Sequence, residues 1–188
     1  MILGQFQTVG HDLFSRGLIS SNGGNLSIRM GNRLLITRHE TWLNALQEND
    51  LIETGINKND RSTPLASVEL PVHRTIYRKT SAQAIVHAHP PHAVALSMVE
   101  KAIIPNCVEG MTIGPVPVLG WDMEVKPGGL ADLIAEALRE SHIVMVRGHG
   151  CFAIGQLLEE AYNYTTTLEA SSQIIFLLKS LRVGTATQ

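Results

Sequence analysis

The sequence predicts an α/β (α+β) domain, a central sheet flanked by helices. Short apolar runs of strand length, such as Ala84-Ile85-Val86 and Ile143-Val144-Met145-Val146, mix without strict alternation with segments whose apolar residues recur at helical spacing. With 188 residues, 44% of them hydrophobic, one domain spanning 1–188 can bury a full core. No internal repeat, low-complexity tract or linker divides the chain.

The elements follow in order. Phe6, Val9, Leu13 and Phe14 recur at helical spacing, and Gly17 stands where such a helix stops. Residues 18–25 are rich in turn formers and contain Asn22-Gly23-Gly24-Asn25. Residues 26–30 and 34–37 read as strands joined by a Gly31-Asn32 hairpin turn. Residues 51–53 form a short strand, and 55–61 are polar turn material. Ser67 is the expected N-cap of a helix reaching about Arg78, with Pro71 in its first turn. Residues 84–89 read as a buried strand. Pro90-Pro91 ends it and opens a helix carrying Val94, Leu96 and Val99. Residues 115–119 are extended, and 130–138 form an amphipathic helix. A strand over 143–146 enters Gly148-His149-Gly150 and continues through 151–154, and residue 157 to about 181 is a long closing helix.

Bulk charge excludes several function classes. The net charge is −2 and the pI near 6.4, whereas a nucleic-acid binder presents a basic face. The basic residues of 74–79 and 179–182 are spaced like solvated helix faces. Cys107 and Cys151 are too few for a disulfide framework and read as free thiols of a reducing compartment. No basic region followed by a long apolar run opens the chain, and no apolar stretch nears the ~20 residues of a membrane span. A cytoplasmic protein with no membrane or nucleic-acid partner is expected.

The chemistry concentrates in histidine. In His87-Ala88-His89 both imidazoles fall on one face of a strand, so both can reach one ion; a pair of hydrogen-bonded surface histidines is the other reading. His149 lies between two glycines at a strand end, where small neighbours permit close approach. Three imidazoles with one position left open is a catalytic zinc arrangement. His11 and His142 read as helix-surface residues, while His39, His73 and His92 carry no assigned role. His73, one helical turn after Glu69, could orient that carboxylate. Glu69 itself, in Ser67-Val68-Glu69, reads either as a helix-capping acid or as a catalytic carboxylate. The two glycines of Asn22-Gly23-Gly24-Asn25 allow a backbone cradle for an anion or simply a tight turn.

Gly24-Asn25-Leu26-Ser27, Ser67-Val68-Glu69, His87-Ala88-His89-Pro90 and Gly148-His149-Gly150, in that order and at those separations, resemble the class II sugar-phosphate aldolase family. That group includes L-fuculose-1-phosphate aldolase, L-ribulose-5-phosphate 4-epimerase and the adducin head domain. The resemblance implies a three-layer α/β/α fold with a mostly antiparallel sheet, and a homotetramer with active sites at subunit junctions. It implies zinc, or another divalent metal, on His87, His89 and His149. Glu69 would be the acid/base, and Gly24, Asn25, Thr37 and Ser67 the phosphate site. The implied reaction cleaves a ketose 1-phosphate to dihydroxyacetone phosphate and an aldehyde through a metal-stabilised enediolate. Epimerase, dehydratase and decarboxylase activities share that metal site, and an adducin-like interaction module shares the fold. Two departures stand out. Thr37-Arg38-His39-Glu40 has an acid where relatives carry a phosphate-loop glycine. The tyrosines used by the fuculose enzyme have no secure match, Tyr162 and Tyr164 lying in the closing helix, so the proton donor to the aldehyde is unassigned.

Overall fold

Alternation along the strands sorts their side chains onto two faces, and both faces are covered. In the computed structural model, which describes residues 2–121 and 129–185 and the side chains of all of these except 182–185, eight strands form one sheet. They are β1 (Asn25–Met30), β2 (Arg33–Thr37), β3 (Leu51–Gly55), β4 (Ala84–Ala88), β5 (Ala102–Ile103), β6 (Val116–Leu119), β7 (Ile143–Val146) and β8 (Gly150–Gly155). Their order is β3-β2-β1-β4-β8-β7-β6-β5. Every neighbouring pair is antiparallel except β6 and β7.

Leu26, Val86, Ala88 and Ala153 face a core built with Phe6, Val9 and Leu13 of α1 (Ile2–Ser15), Ala93 and Leu96 of α3 (Pro91–Ser97), and Leu158, Ala161 and Leu168 of α5 (Leu158–Thr185). Leu34, Ile36, Ile85, Val144 and Phe152 face the opposite core. It is closed by Leu70, Ile76 and Tyr77 of α2 (Leu70–Lys79) and by Ile134 and Ala135 of α4 (Gly129–Ala137). The result is the expected three layers, helices on both sides of a mostly antiparallel sheet.

Local signals hold at α1 and the first hairpin. Gly17 adopts φ 68°, which lets the Leu18 N–H fold back onto the Leu13 carbonyl at 2.9 Å. Gly31, at φ 62°, sits in the turn between Met30 and Arg33, a register pair. Five expectations are corrected. β3 continues through Gly55, paired to Arg33 of β2, so Gly55 is strand rather than turn. Ser67 is not the N-cap of α2. Its N–H bonds the Thr37 carbonyl at 3.0 Å in an extended pairing, and the helix begins at Leu70 with Glu69 in the N-cap position. α3 ends at Ser97, leaving Val99 beyond it and exposed. His142 is exposed but not helical; its carbonyl accepts from the Ile154 N–H beside the β7–β8 ladder, and its ring stacks on Tyr164. Arg74 is no solvated side chain either, since it clamps the loop after β3 through the Gly55 and Lys58 carbonyls and Asn59. The side chain of Arg182, in the second basic group, lies outside the described residues. Among the described residues no helix is long and apolar enough to cross a membrane.

Candidate functional site

Position along β4 decides where the first histidine points. Ile85 and His87 share the face covered by α2, and His89 follows just past the strand end. The hairpin between β7 and β8 brings His149 to the same place. Gly148 makes this possible at φ 64°, where the Ser97 hydroxyl receives its N–H at 2.9 Å. Gly150 is required for a different reason. A Cβ there would meet the Ala88 carbonyl oxygen at 2.4 Å and His89 Cδ2 at 2.5 Å, so only glycine lets β8 pass this close to the rings. His87, His89 and His149 each offer a ligand atom, all within 4.8 Å of one another. The Nε2 atoms of His87 and His89 stand 3.0 Å apart.

The donor set fits a divalent ion. His87 Nδ1 lies 2.9 Å from the Cys151 carbonyl, so that nitrogen carries the proton and Nε2 keeps a lone pair for a ligand. Burial pushes His87 well below the ordinary imidazole range, and burial together with His149 lowers His89 to about 4. Both rings are therefore neutral at pH 7, the form that binds metal.

Glu69 Oε1 is 3.9 Å from His149 Nε2, and the Glu69 side chain is 23% exposed. Although Glu69 occupies the N-cap position of α2, its carboxylate makes no capping hydrogen bond. Ser67 Oγ instead receives the Glu69 N–H at 3.2 Å. A bridge between Arg38 and Ala66 draws the 38–41 loop alongside. Histidines, Glu69, Ser67, Val68, residues 22–25 and residues 38–41 together line a cleft of about 320 Å³.

Of the four expected phosphate-site residues, Gly24, Asn25 and Ser67 line this cleft and Thr37 does not. Thr37 is fully buried, and its hydroxyl oxygen accepts the Leu26 N–H at 3.2 Å, so it braces the loop from behind. Gly24 has φ 75°, and a Cβ on it would strike Ile19 and the His87 carbonyl. Asn25 is buried opposite His87 in the β1–β4 register, and its Oδ1 has no partner among the described residues, the state expected of a group kept for a ligand.

Other expectations resolve differently. His73 does not orient Glu69. It is fully buried, its Nδ1 is 2.7 Å from Ser27 Oγ, which also lies 2.7 Å from the Tyr77 hydroxyl, and burial lowers it to about 3. His92 bonds Glu169 at 2.6 Å, and the same carboxylate receives the His92 and Ala93 N–H groups at the start of α3. His11 is exposed on α1, and His39 stands at the cleft mouth. Tyr162 bonds Asp12 and Tyr164 bonds Glu160; neither lines the cleft. Cys151 is buried, and burial pushes its thiol up to about 12, which keeps it inert. Arg38, His39 and Val68, which stand within the quoted motifs, and Thr41, which no motif contains, also line the cleft.

A family model described as Class II Aldolase and Adducin N-terminal domain matches residues 5–176. The L-fuculose phosphate aldolase of Methanococcus maripaludis is 30% identical over 186 residues, 97% of this chain and 100% of that one. The crystal structure of L-fuculose-1-phosphate aldolase from Thermus thermophilus superposes with a TM-score of 0.89 at 40% identity, covering 96% and 95% of the two chains. A 3-oxo-tetronate 4-phosphate decarboxylase of Escherichia coli is 28% identical over 181 residues, 90% of this chain and 84% of its own.

Proposed function

The chain belongs to the Class II Aldolase and Adducin N-terminal domain family, and from that premise we propose that it is a divalent-metal-dependent aldolase. Its substrate is a ketose 1-phosphate of the fuculose 1-phosphate kind, cleaved to dihydroxyacetone phosphate and an aldehyde. One observation carries the reading: three imidazoles converge beside a carboxylate that has no capping duty, across a cleft from a glycine turn and an asparagine whose Oδ1 has no partner among the described residues. An interaction module would need none of this.

His87, His89 and His149 hold the ion, zinc or another divalent metal that accepts imidazole. When bound, it supplies a Lewis acid for the negative charge that develops on the substrate's oxygens. The chain's own residues do the rest. Backbone amides of the Gly23-Gly24 turn, with Asn25 and Ser67, bind the phosphate and set the distance of the reacting carbons from Glu69. As the bond between carbons three and four breaks, the carbon-four hydroxyl becomes the aldehyde carbonyl and releases its proton to solvent water. The electron pair of the broken bond stays on the dihydroxyacetone phosphate half, and Glu69 delivers a proton to carbon three. Burial of His87 and half-burial of Glu69 keep the surroundings poor in water, which strengthens each of these interactions.

The decarboxylase relative supports a second reading. Loss of carbon dioxide from a keto acid phosphate leaves charge in a similar position, so the same residues serve. Assembly is proposed as a homotetramer, supported by the exposed apolar residues Phe176, Leu177 and Leu181 on α5. The deciding experiment incubates the zinc-loaded protein with fuculose, ribulose and 5-deoxyribulose 1-phosphates and measures dihydroxyacetone phosphate. Its release supports the aldolase. Carbon dioxide from a 3-oxo acid phosphate, with no dihydroxyacetone phosphate from any ketose, replaces it with the decarboxylase.

A further inference from the structure

Three histidines can offer nitrogens to one ion, yet they are not held alike. His149 is 42% exposed, and its ring makes no hydrogen bond among the described residues; Glu69 Oε1 stands 3.9 Å from its Nε2. Among the described residues, His89 meets only His87 through its ring nitrogens. His87 is restrained from two directions. On its edge, Nδ1 donates to the Cys151 carbonyl at 2.9 Å. On its face lies the ring of Phe152, 4.2 Å away between centroids and tilted by only 17°.

That stack is a product of strand register. Phe152 of β8 is the partner directly opposite His87 of β4, so their side chains rise side by side from the same face. Phe152 cannot easily turn away. It is 1% exposed, Val144 of β7 is its partner on the other side, and His73 of α2 meets its ring edge-on at 6.2 Å and 74°. Ser27 in turn bonds His73, and Tyr77 bonds Ser27.

We propose that Phe152 is a positioning residue for the metal-binding ring of His87, fixing its plane while the Cys151 carbonyl fixes its rotation within that plane. This rests on the reading of His87, His89 and His149 as a metal centre. Of the three ligands, His87 is then the preformed one, and the more exposed His149 completes the set. The stack also tightens with the ion in place, because a metal-bound imidazole is electron-poor and a phenyl face attracts positive charge. Groups that orient a ligand from behind typically carry about 10–100-fold of metal affinity.

The test is zinc affinity by competition with a chromogenic chelator, run beside the urea unfolding midpoint of the metal-free protein. Phe152→Leu keeps the position apolar and removes the ring face, and is expected to bind zinc about 10-fold or more weakly. Phe152→Tyr restores the face and the affinity, whatever it costs in stability. The cobalt(II) absorption bands shift in Phe152→Leu and not in Phe152→Tyr. Wild-type zinc affinity in Phe152→Leu, with a lowered unfolding midpoint, overturns the proposal and makes Phe152 ordinary core. Should Phe152→Leu not fold, Phe152→Met gives the same two outcomes. Failure of the metal centre itself is separate: wild type and His87→Ala would then show equal zinc binding.

Discussion

Replacing Glu40 with glycine is expected to stabilise the protein. Glu40 has φ 58°, the only positive value at a non-glycine among the described residues. The resemblance implies a glycine at this place, so the chain would keep a glycine's backbone with an acid's side chain. The left-handed region costs an L residue about 1–2 kcal/mol. Glycine avoids that cost but adds freedom to the unfolded chain, worth about 0.4–1 kcal/mol in the opposite direction. The midpoints of the two ranges leave a gain of about 0.8 kcal/mol. Charge contributes little, because the Glu40 side chain is 82% exposed and its one ion-pair neighbour among the described residues is His39 at 3.8 Å. Glu40→Ala keeps the left-handed cost and should gain nothing, which separates backbone from charge. Urea unfolding of the three proteins reads the effect directly: the midpoint rises for glycine and not for alanine. KM for a ketose 1-phosphate should fall or stay unchanged in Glu40→Gly. A midpoint that drops for glycine as for alanine would refute the strain argument, and a raised KM would mean that Glu40 holds substrate.

The remaining expectations concern the cleft and its supports. Glu69→Gln should lose at least about 10²-fold in turnover with zinc content unchanged; near-normal turnover would leave Glu69 only its backbone position at the start of α2. Asn25→Ala should abolish the preference for a ketose 1-phosphate over the free ketose, and equal rates on both forms in the wild type would reopen the substrate class. Gly150→Ala forces a Cβ to within 2.4 Å of the Ala88 carbonyl oxygen. The strain is on the order of 1–3 kcal/mol in unfolding, and zinc affinity should fall with it; unchanged values would mean that β8 can yield. His73 titrates near 3 when folded and near 6.5 when unfolded, so the unfolded chain takes the proton first. Its contribution is fully present above pH 6.5 and is lost as pH falls toward 3, at up to about 1.4 kcal/mol per pH unit. His73→Gln should flatten the decline in the metal-free unfolding midpoint by that amount; parallel curves would contradict it. Light scattering should report a tetramer, and a fully active monomer would remove the case for sites at subunit junctions.

What was legible in the sequence was what short range determines. The two-residue period of a strand puts His87 and His89 together, and the glycines around His149 mark a hairpin whose tightness the structure explains through Gly148 and Gly150. The fold class followed from apolar spacing, and its layering from the resemblance of a few ordered motifs. Long-range pairing is what the sequence hid. Ser67 carries every local mark of an N-cap, but its backbone is tied to Thr37, thirty residues earlier, so the helix starts later. Thr37, a phosphate residue only by the resemblance, is fully buried with its hydroxyl on the Leu26 N–H. Phe152 stacks on His87 only because β4 and β8 are in a particular register. His73, spaced to meet Glu69, turns into the core toward Ser27 instead. Glu40 shows no signal of its left-handed backbone in its own chemistry; only comparison with a glycine at that place suggests it.

Metal analysis of the purified protein bears most directly on the central claim. The account predicts about one divalent ion per chain in the wild type. The same analysis of a folded His87→Ala/His89→Ala double variant should find almost none, together with no release of dihydroxyacetone phosphate. Full metal occupancy in that variant would contradict the assignment of the ion to this cluster and the mechanism built on it.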